Sequence, residues 1–161
     1  MTVHGLMWDS TTPELIPGWA RLKALYVNGK YAQFPRYGRG HVYIDVTGAA
    51  PMSADILDVE RGDATPATVL PWLRARSHWD AGTIYCNRDT LPAVQDAAGD
   101  LPFHLWLATL DGTIPESVTG PGHLVAVQAY PASVVGVNID VSVVLDAAWW
   151  AGKALPAVVA A

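Results

Sequence analysis

Cysteine is almost absent from this chain: Cys86 is the single one in 161 residues. That excludes an internal disulfide and a zinc site built on thiolates, and it leaves the redox compartment open. On the apolar run GTIYCN a lone thiol reads first as packed core. Basic residues are also few, ten Lys and Arg against fifteen Asp and Glu, for a net charge of −5. Cations such as Arg36, Arg39, Arg74 and Arg76 form no basic stripe, so nucleic acid is not an expected partner. The five histidines, His4, His41, His78, His104 and His123, show no metal-ligand spacing, and neither a metal nor a cofactor is expected. No Gly-x-Ser-x-Gly elbow occurs, and GRGHVY lacks the Lys-Ser/Thr end of a phosphate loop. Long apolar runs are missing too. The tail ALPAVVAA, interrupted by Pro156, is too short to cross a bilayer, and MTVHGLMWDSTTPE has no basic-then-apolar leader. The expectation is a chain without a membrane span or a secretory signal, made in the cytoplasm.

What is present points to a compact domain. Half of the residues are apolar and 16% are charged, which argues for a globular chain rather than a disordered one. Eight strand-like runs recur from end to end: VHGLMWD, ALYVNG, HVYIDV, ADILDVE, GTIYCN, FHLWLAT, LVAVQAY and VNIDVSVVL. Most are rich in β-branched and aromatic residues and are bounded by Gly, Pro, Asp or Asn. Helical stretches are fewer. TPELIPGWARLK, TPATVLPWLRARSHW and DTLPAVQDAAG read as the first, fourth and fifth connections, with Thr65 or Asp89 as caps and Pro66 or Pro92 near the starts. Pro17 and Pro71 are expected to break or shorten the first two. The remaining connections, FPRYGRG, GAAPMS, DGTIPESVTGPG and PASVVG, are too short or too rich in Gly and Pro for a helix.

No repeat or linker divides the chain, so residues 1–161 are read as one domain. Eight strands with some helical crossovers suggest an α/β fold, a small, helix-poor (β/α)8 TIM-like barrel. Such barrels typically need about 250 residues, so several helices must be missing. An open α/β sheet and an all-β sandwich fit the same arithmetic.

The candidate chemistry begins at Asp58-Val59-Glu60. Residues i and i+2 of a strand share a face, their anchors about 6.6 Å apart from a rise of ~3.3 Å per residue. Two carboxyls in one poorly solvated space titrate apart, one raised and one ionised. Asp9 closes the first run and Asp140 lies in the last, so in a closed barrel four acids converge on one rim. Asp45 is a fifth candidate. The plain alternative is a set of solvated strand ends.

The order of these motifs resembles glycoside hydrolase family 25, the Chalaropsis-type lysozymes, together with glycoside-hydrolase-like proteins of actinobacteria and their phages. The matching positions are Asp9, then Asp58 and Glu60, Tyr85 in GTIYCNRD, Leu105-Trp106 in FHLWLAT, Gln128 with Tyr130 in VAVQAY, and Asp140 in VNIDVSVV. Two departures stand against it: Tyr26-Val27-Asn28-Gly29-Lys30 replaces the family's Lys-Ala-Thr-Glu-Gly type segment, and the third run offers Asp45 and Thr47 instead of aromatics and His. The resemblance implies a peptidoglycan muramidase, an endolysin-like product released by phage or carried on a virion. Within it Glu60 is the general acid, and Asp58 is either the nucleophile or the group that orients a substrate N-acetyl. Asp9 and Asp140 tune that pair and bind hydroxyls. Tyr85, Trp106, Gln128, Tyr130 and Asp45 contact peptidoglycan or another glycan. The same resemblance allows an inert sugar-binding or structural module at a cell surface or in a phage particle. Trp8, Trp19, Trp72, Trp79, Trp149 and Trp150 read as packing residues. Barrel faces left bare by short crossovers imply a partner subunit or a larger assembly.

Overall fold

A computed structural model describes residues 2–32, 39–76, 81–131 and 138–156. Arg36, His78, Trp79, the run PASVVG after Pro131 and the last residues of the tail therefore lie outside the described residues. Eight strands overlap the eight runs: β1 Gly5–Asp9, β2 Lys23–Tyr26, β3 His41–Asp45, β4 Ile56–Val59, β5 Thr83–Asn87, β6 His104–Ala108, β7 His123–Gln128 and β8 Asp140–Val144. They close in sequence order into one barrel. Strands β1 to β7 pair in parallel, while β8 pairs antiparallel with both β1 and β7.

This corrects the (β/α)8 expectation. The fold is a mixed parallel and antiparallel closed β-barrel, with three α-helices among the described residues: α1 Pro66–Arg76, α2 Leu91–Ala98 and α3 Ala147–Lys153. Only α1 and α2 are crossovers between parallel strands. β8 starts at the end of the barrel where β7 finishes, so it runs opposite to both of its neighbours.

Local chemistry explains each helix. The stretch around Pro17 forms only a 3-10 turn, Pro13–Leu15, before the chain becomes extended at Ile16. Pro71, expected to break its helix, is accommodated inside α1. Its ring faces solvent, while Val69, Trp72, Leu73 and Arg76 form a buried stripe that holds the helix to the barrel. α2 starts after Thr90, whose N–H donates to Asn87 Oδ1 at 2.9 Å, and has Pro92 in its first turn. α3 was not expected from sequence. Its cap is Asp146, whose carboxylate accepts from Trp149 N at 2.6 Å.

Strand alternation divides the core into two layers. Met7, Ala24, Val42, Ile44, Ile56, Tyr85, Trp106, Ala126 and Val144 pack together with Trp149 of α3. These are the inward positions, and eight strands leave an interior that side chains can fill. The opposite positions, among them Leu57, Val59, Ile84, Cys86, Leu105 and Leu107, pack with Val69, Trp72 and Leu73 of α1 and Val94 and Ala98 of α2. Trp149 closes the N-terminal end of the barrel, its Nε1 donating to Thr83 Oγ1 at 3.2 Å. Trp150 lies so close to Gly5 that a Cβ there would meet the indole at 2.3 Å, which requires glycine. The outer face near β1 is less covered: Leu6 is exposed, and Trp19, expected as packing, is 71% exposed with only an edge contact to Trp8. No described helix is long and apolar enough to cross a membrane.

Candidate functional site

The parallel strands β1 to β7 point their C-terminal ends to one mouth of the barrel. β8 runs the other way, so its first residue, Asp140, arrives at that mouth as the Cα partner of Asp9. Asp140 is thus brought there by opening a strand, whereas the sequence reading placed it near a strand's C-terminal end. Inward parity does the rest. Asp9 ends β1, Tyr26 ends β2, Asp58 is one residue from the end of β4, and Glu60 follows two residues later on the same face. Together with Tyr85, Trp106 and Gln128 they line a cavity of about 240 Å³.

Burial sets the electrostatics. Asp9 is 5% exposed and Asp58 6%. Burial pushes the Asp9 carboxyl well above its ordinary range, and Asp140 and then Glu60 push it further. Burial does the same to Asp58, followed by repulsion from Glu60, Asp63 and Asp9. Glu60 is also raised, first by burial and then by Asp63, while a hydrogen bond with the Tyr85 hydroxyl acts in the opposite direction. Burial likewise lifts both Tyr26 and Tyr85, with the surrounding carboxylates adding to it. The outer oxygens Asp9 Oδ1 and Asp58 Oδ1 are buried without a hydrogen-bond partner among the described residues. Among the described residues no Lys, Arg or His lines the cavity.

The aromatic wall is held in place by hydrogen bonds. Trp106 Nε1 donates to Ser142 Oγ at 2.9 Å, and the Tyr85 hydroxyl donates to Gln128 Oε1 at 2.7 Å. The two rings meet edge to face, centroids 4.6 Å apart. At the rim, Leu110 adopts a left-handed backbone (φ 58°), a conformation a branched side chain rarely takes, and its N–H and that of Thr109 both donate to the Gln128 carbonyl.

Of the residues expected at the site, Asp9, Asp58, Glu60, Asp140, Tyr85, Trp106 and Gln128 line the cavity; Asp45 and Tyr130 do not. Asp45 has the opposite parity on β3 and stands in the barrel wall facing α1. It accepts from Trp72 Nε1 at 3.0 Å, Asn28 Nδ2 at 2.7 Å and the backbone N–H groups of Thr47, Gly48 and Ala50. Burial alone would raise its carboxyl, but those hydrogen bonds together outweigh burial and hold it below its ordinary value. Asp45 is a structural tie. Tyr130 is 53% exposed and packs beside Gly112. Sequence reasoning missed Tyr26 as a lining residue, although it ends β2 as Asp9 ends β1. Among the described residues no group of three or more His, Cys, Asp or Glu is placed to hold a metal ion.

The muramidase reading does not survive this geometry. It needs a protonated Glu60 beside an ionised Asp58, whereas burial and the neighbouring carboxyls push both groups upward. It also needs the family's (β/α)8 frame, which the antiparallel β8 and the three helices replace. Comparison with protein-family models, with curated proteins and with solved structures finds no match to this chain. The resemblance to glycoside hydrolase family 25 is therefore withdrawn, and with it the lysozyme, endolysin and phage assignments and the inert glycoside-hydrolase-like module.

Proposed function

We propose that the acid-lined mouth binds a small basic ligand, an amine whose ammonium group sits among Asp9, Asp58, Glu60 and Asp140. The observation that supports this reading is the pair of buried carboxyl oxygens, Asp9 Oδ1 and Asp58 Oδ1, that have no hydrogen-bond partner among the described residues. A buried polar atom in that condition costs about 1–3 kcal/mol. An ammonium brings three donors and a full positive charge to a lining that holds four carboxyls and, among the described residues, no basic side chain. It also reverses the local electrostatics. A cation favours the ionised carboxylates, so acids that keep their protons in the free protein release them on binding. The rings of Tyr26, Tyr85 and Trp106 offer cation–π partners.

A second occupant, one sugar unit of a glycan, is favoured by the fixed rings of Tyr85 and Trp106, since flat faces pack on pyranose rings and protonated carboxyls donate to hydroxyls. Calorimetric titration of the full chain with putrescine and with neutral monosaccharides separates the two. The amine reading expects putrescine binding that strengthens between about pH 5 and about pH 8 and is lost in Asp9→Asn/Asp58→Asn. The sugar reading expects monosaccharide binding without that pH trend. Absence of putrescine binding at the upper pH overturns the amine reading.

A further inference from the structure

The lining of the acid mouth sorts by position round the barrel. Its carboxyls come from β8, β1 and β4 with the residue just beyond it. Among the described residues, β5, β6 and β7 and the loops that follow them contribute Tyr85, Trp106, Leu110, Gln128 and Pro131, none of them charged. A ligand in this cavity meets acids on one side and a largely apolar wall on the other. We propose, resting on the amine reading, that Leu110 is the specificity-determining residue of the site and selects amines that carry a hydrocarbon chain.

An exposed leucine is ordinary on a protein surface, and two features set this one apart. The first is parity. Trp106 and Ala108 of β6 belong to the interior layer, and Leu110 follows two residues past the strand end, so the apolar wall continues from Trp106 up to the rim. The second is its backbone. Leu110 has φ 58°, and every other positive-φ position among the described residues is glycine, the residue that enters this region without a Cβ penalty. The loop around it holds that conformation in place. Thr109 and Leu110 N–H both donate to the Gln128 carbonyl, and Gly112 N donates to the Ala129 carbonyl at 2.8 Å. Thr109 Oγ1 donates to the Thr113 carbonyl at 2.7 Å, and Arg88 pairs with Asp111 at 2.6 Å. Gln128 joins the loop to the wall, since its side chain also accepts from the Tyr85 hydroxyl. Glycine would make this turn with less strain, so the branched side chain is explained by what it touches in the cavity. On the acid side, Asp9 Oδ1 and Asp58 Oδ1 are buried with no hydrogen-bond partner among the described residues. An ammonium held there directs its substituent toward Trp106 and Leu110. The cavity of about 240 Å³ has room for that substituent, because an ammonium ion is close in size to a water molecule, whose share of the liquid is ~30 Å³. Each methylene it removes from water favours binding by about fourfold.

Calorimetric titration of the full chain near pH 8 with methylamine and with n-butylamine tests this role. Butylamine, longer by three methylenes, should bind about tenfold tighter than methylamine. In Leu110→Gly that ratio should fall to about twofold, while denaturant unfolding shows a chain no less stable than the parent, because glycine relieves the left-handed strain. Leu110→Met, which restores an apolar chain of similar length, should recover most of the preference. Leu6→Ala, which truncates a comparably exposed leucine on the outer face of β1, should keep the parent ratio. Equal affinity for the two amines in the parent chain, or the parent ratio retained in Leu110→Gly, overturns the role of Leu110 and leaves the amine reading standing. Absence of binding by either amine overturns both.

Discussion

The two mouths of this barrel are built on the same eight strands, and the described residues that line them are mainly acidic at one and mainly basic at the other. At the C-terminal mouth the charged groups sit on inward-facing strand positions, Asp9, Asp58 and Asp140, with Glu60 one step beyond β4. A strand spends its backbone hydrogen bonds on its neighbours, and inward parity turns those carboxyls toward one another and toward Tyr26 and Tyr85. At the N-terminal mouth the charges come from turns and helix ends, where carbonyls are available, and Arg39, Arg76 and Lys153 each have a fixed acceptor. One end therefore holds acids, Asp9, Asp58 and Glu60, pushed toward their neutral forms, the other cations with fixed acceptors. The difference teaches that position on an element, more than residue type, decides whether a charge is compensated.

The largest expected effect breaks the end that is plugged. Trp149→Ala removes the indole that closes the N-terminal end and leaves Thr83 Oγ1 without its donor. It should cost about 3–5 kcal/mol in denaturant unfolding and loosen the basic mouth far more than the acidic one.

The next largest has the opposite sign. Asp9 titrates in the folded chain well above its ordinary value of 3.8. Between those two values the native state binds more protons than the unfolded chain, so stability falls as pH rises through that window and is unaffected below it. Asp9→Asn removes the penalty and should stabilise the protein by about 1–3 kcal/mol near pH 8, with little effect near pH 3. A stabilisation equal at both pH values would point to packing instead of charge.

The strands of this fold were legible in the chain and its class was not, and the reason differs element by element. Strand positions could be read because the runs are short, β-branched and punctuated. The meeting of Asp58 and Glu60 could be read because parity on a strand is a local property. The direction of β8 could not, since its sequence pairs as well with neighbours running either way. Asp45 was misplaced by one residue's parity, and the ring of Trp72 that binds it belongs to a helix far along the chain. α3 left a local signal, Asp146 three residues before Trp149, that a search for longer helical patterns passes over. The basic mouth left none, because its residues are scattered between positions 39 and 153 and converge only through the fold.

Smaller effects sharpen the contrast. Asp146 is held below its ordinary value by His123 and by the Trp149 amide, so its contribution is present above the unfolded value and is lost as pH falls. Asp146→Ala should cost about 1 kcal/mol at neutral pH and less in acid, read from thermal unfolding. Smallest of all is the thiol. Cys86 lies behind the acidic mouth in the outer layer, where burial, then Glu60 and Asp58, push it up to about 12. A thiol reagent near pH 8 should label it only as fast as the barrel opens, with no change in the folded protein's stability.

The central claim is that the acidic mouth stores protons that a basic ligand displaces. Carboxyl carbon chemical shifts of the aspartates, followed through a pH titration of the free chain and again with saturating putrescine, test it directly. The account predicts that Asp9 and Asp58 titrate well above the ordinary carboxylate range in the free protein and shift downward together when the amine is present. Ordinary values for both in the free protein, or raised values that putrescine leaves in place, would contradict it.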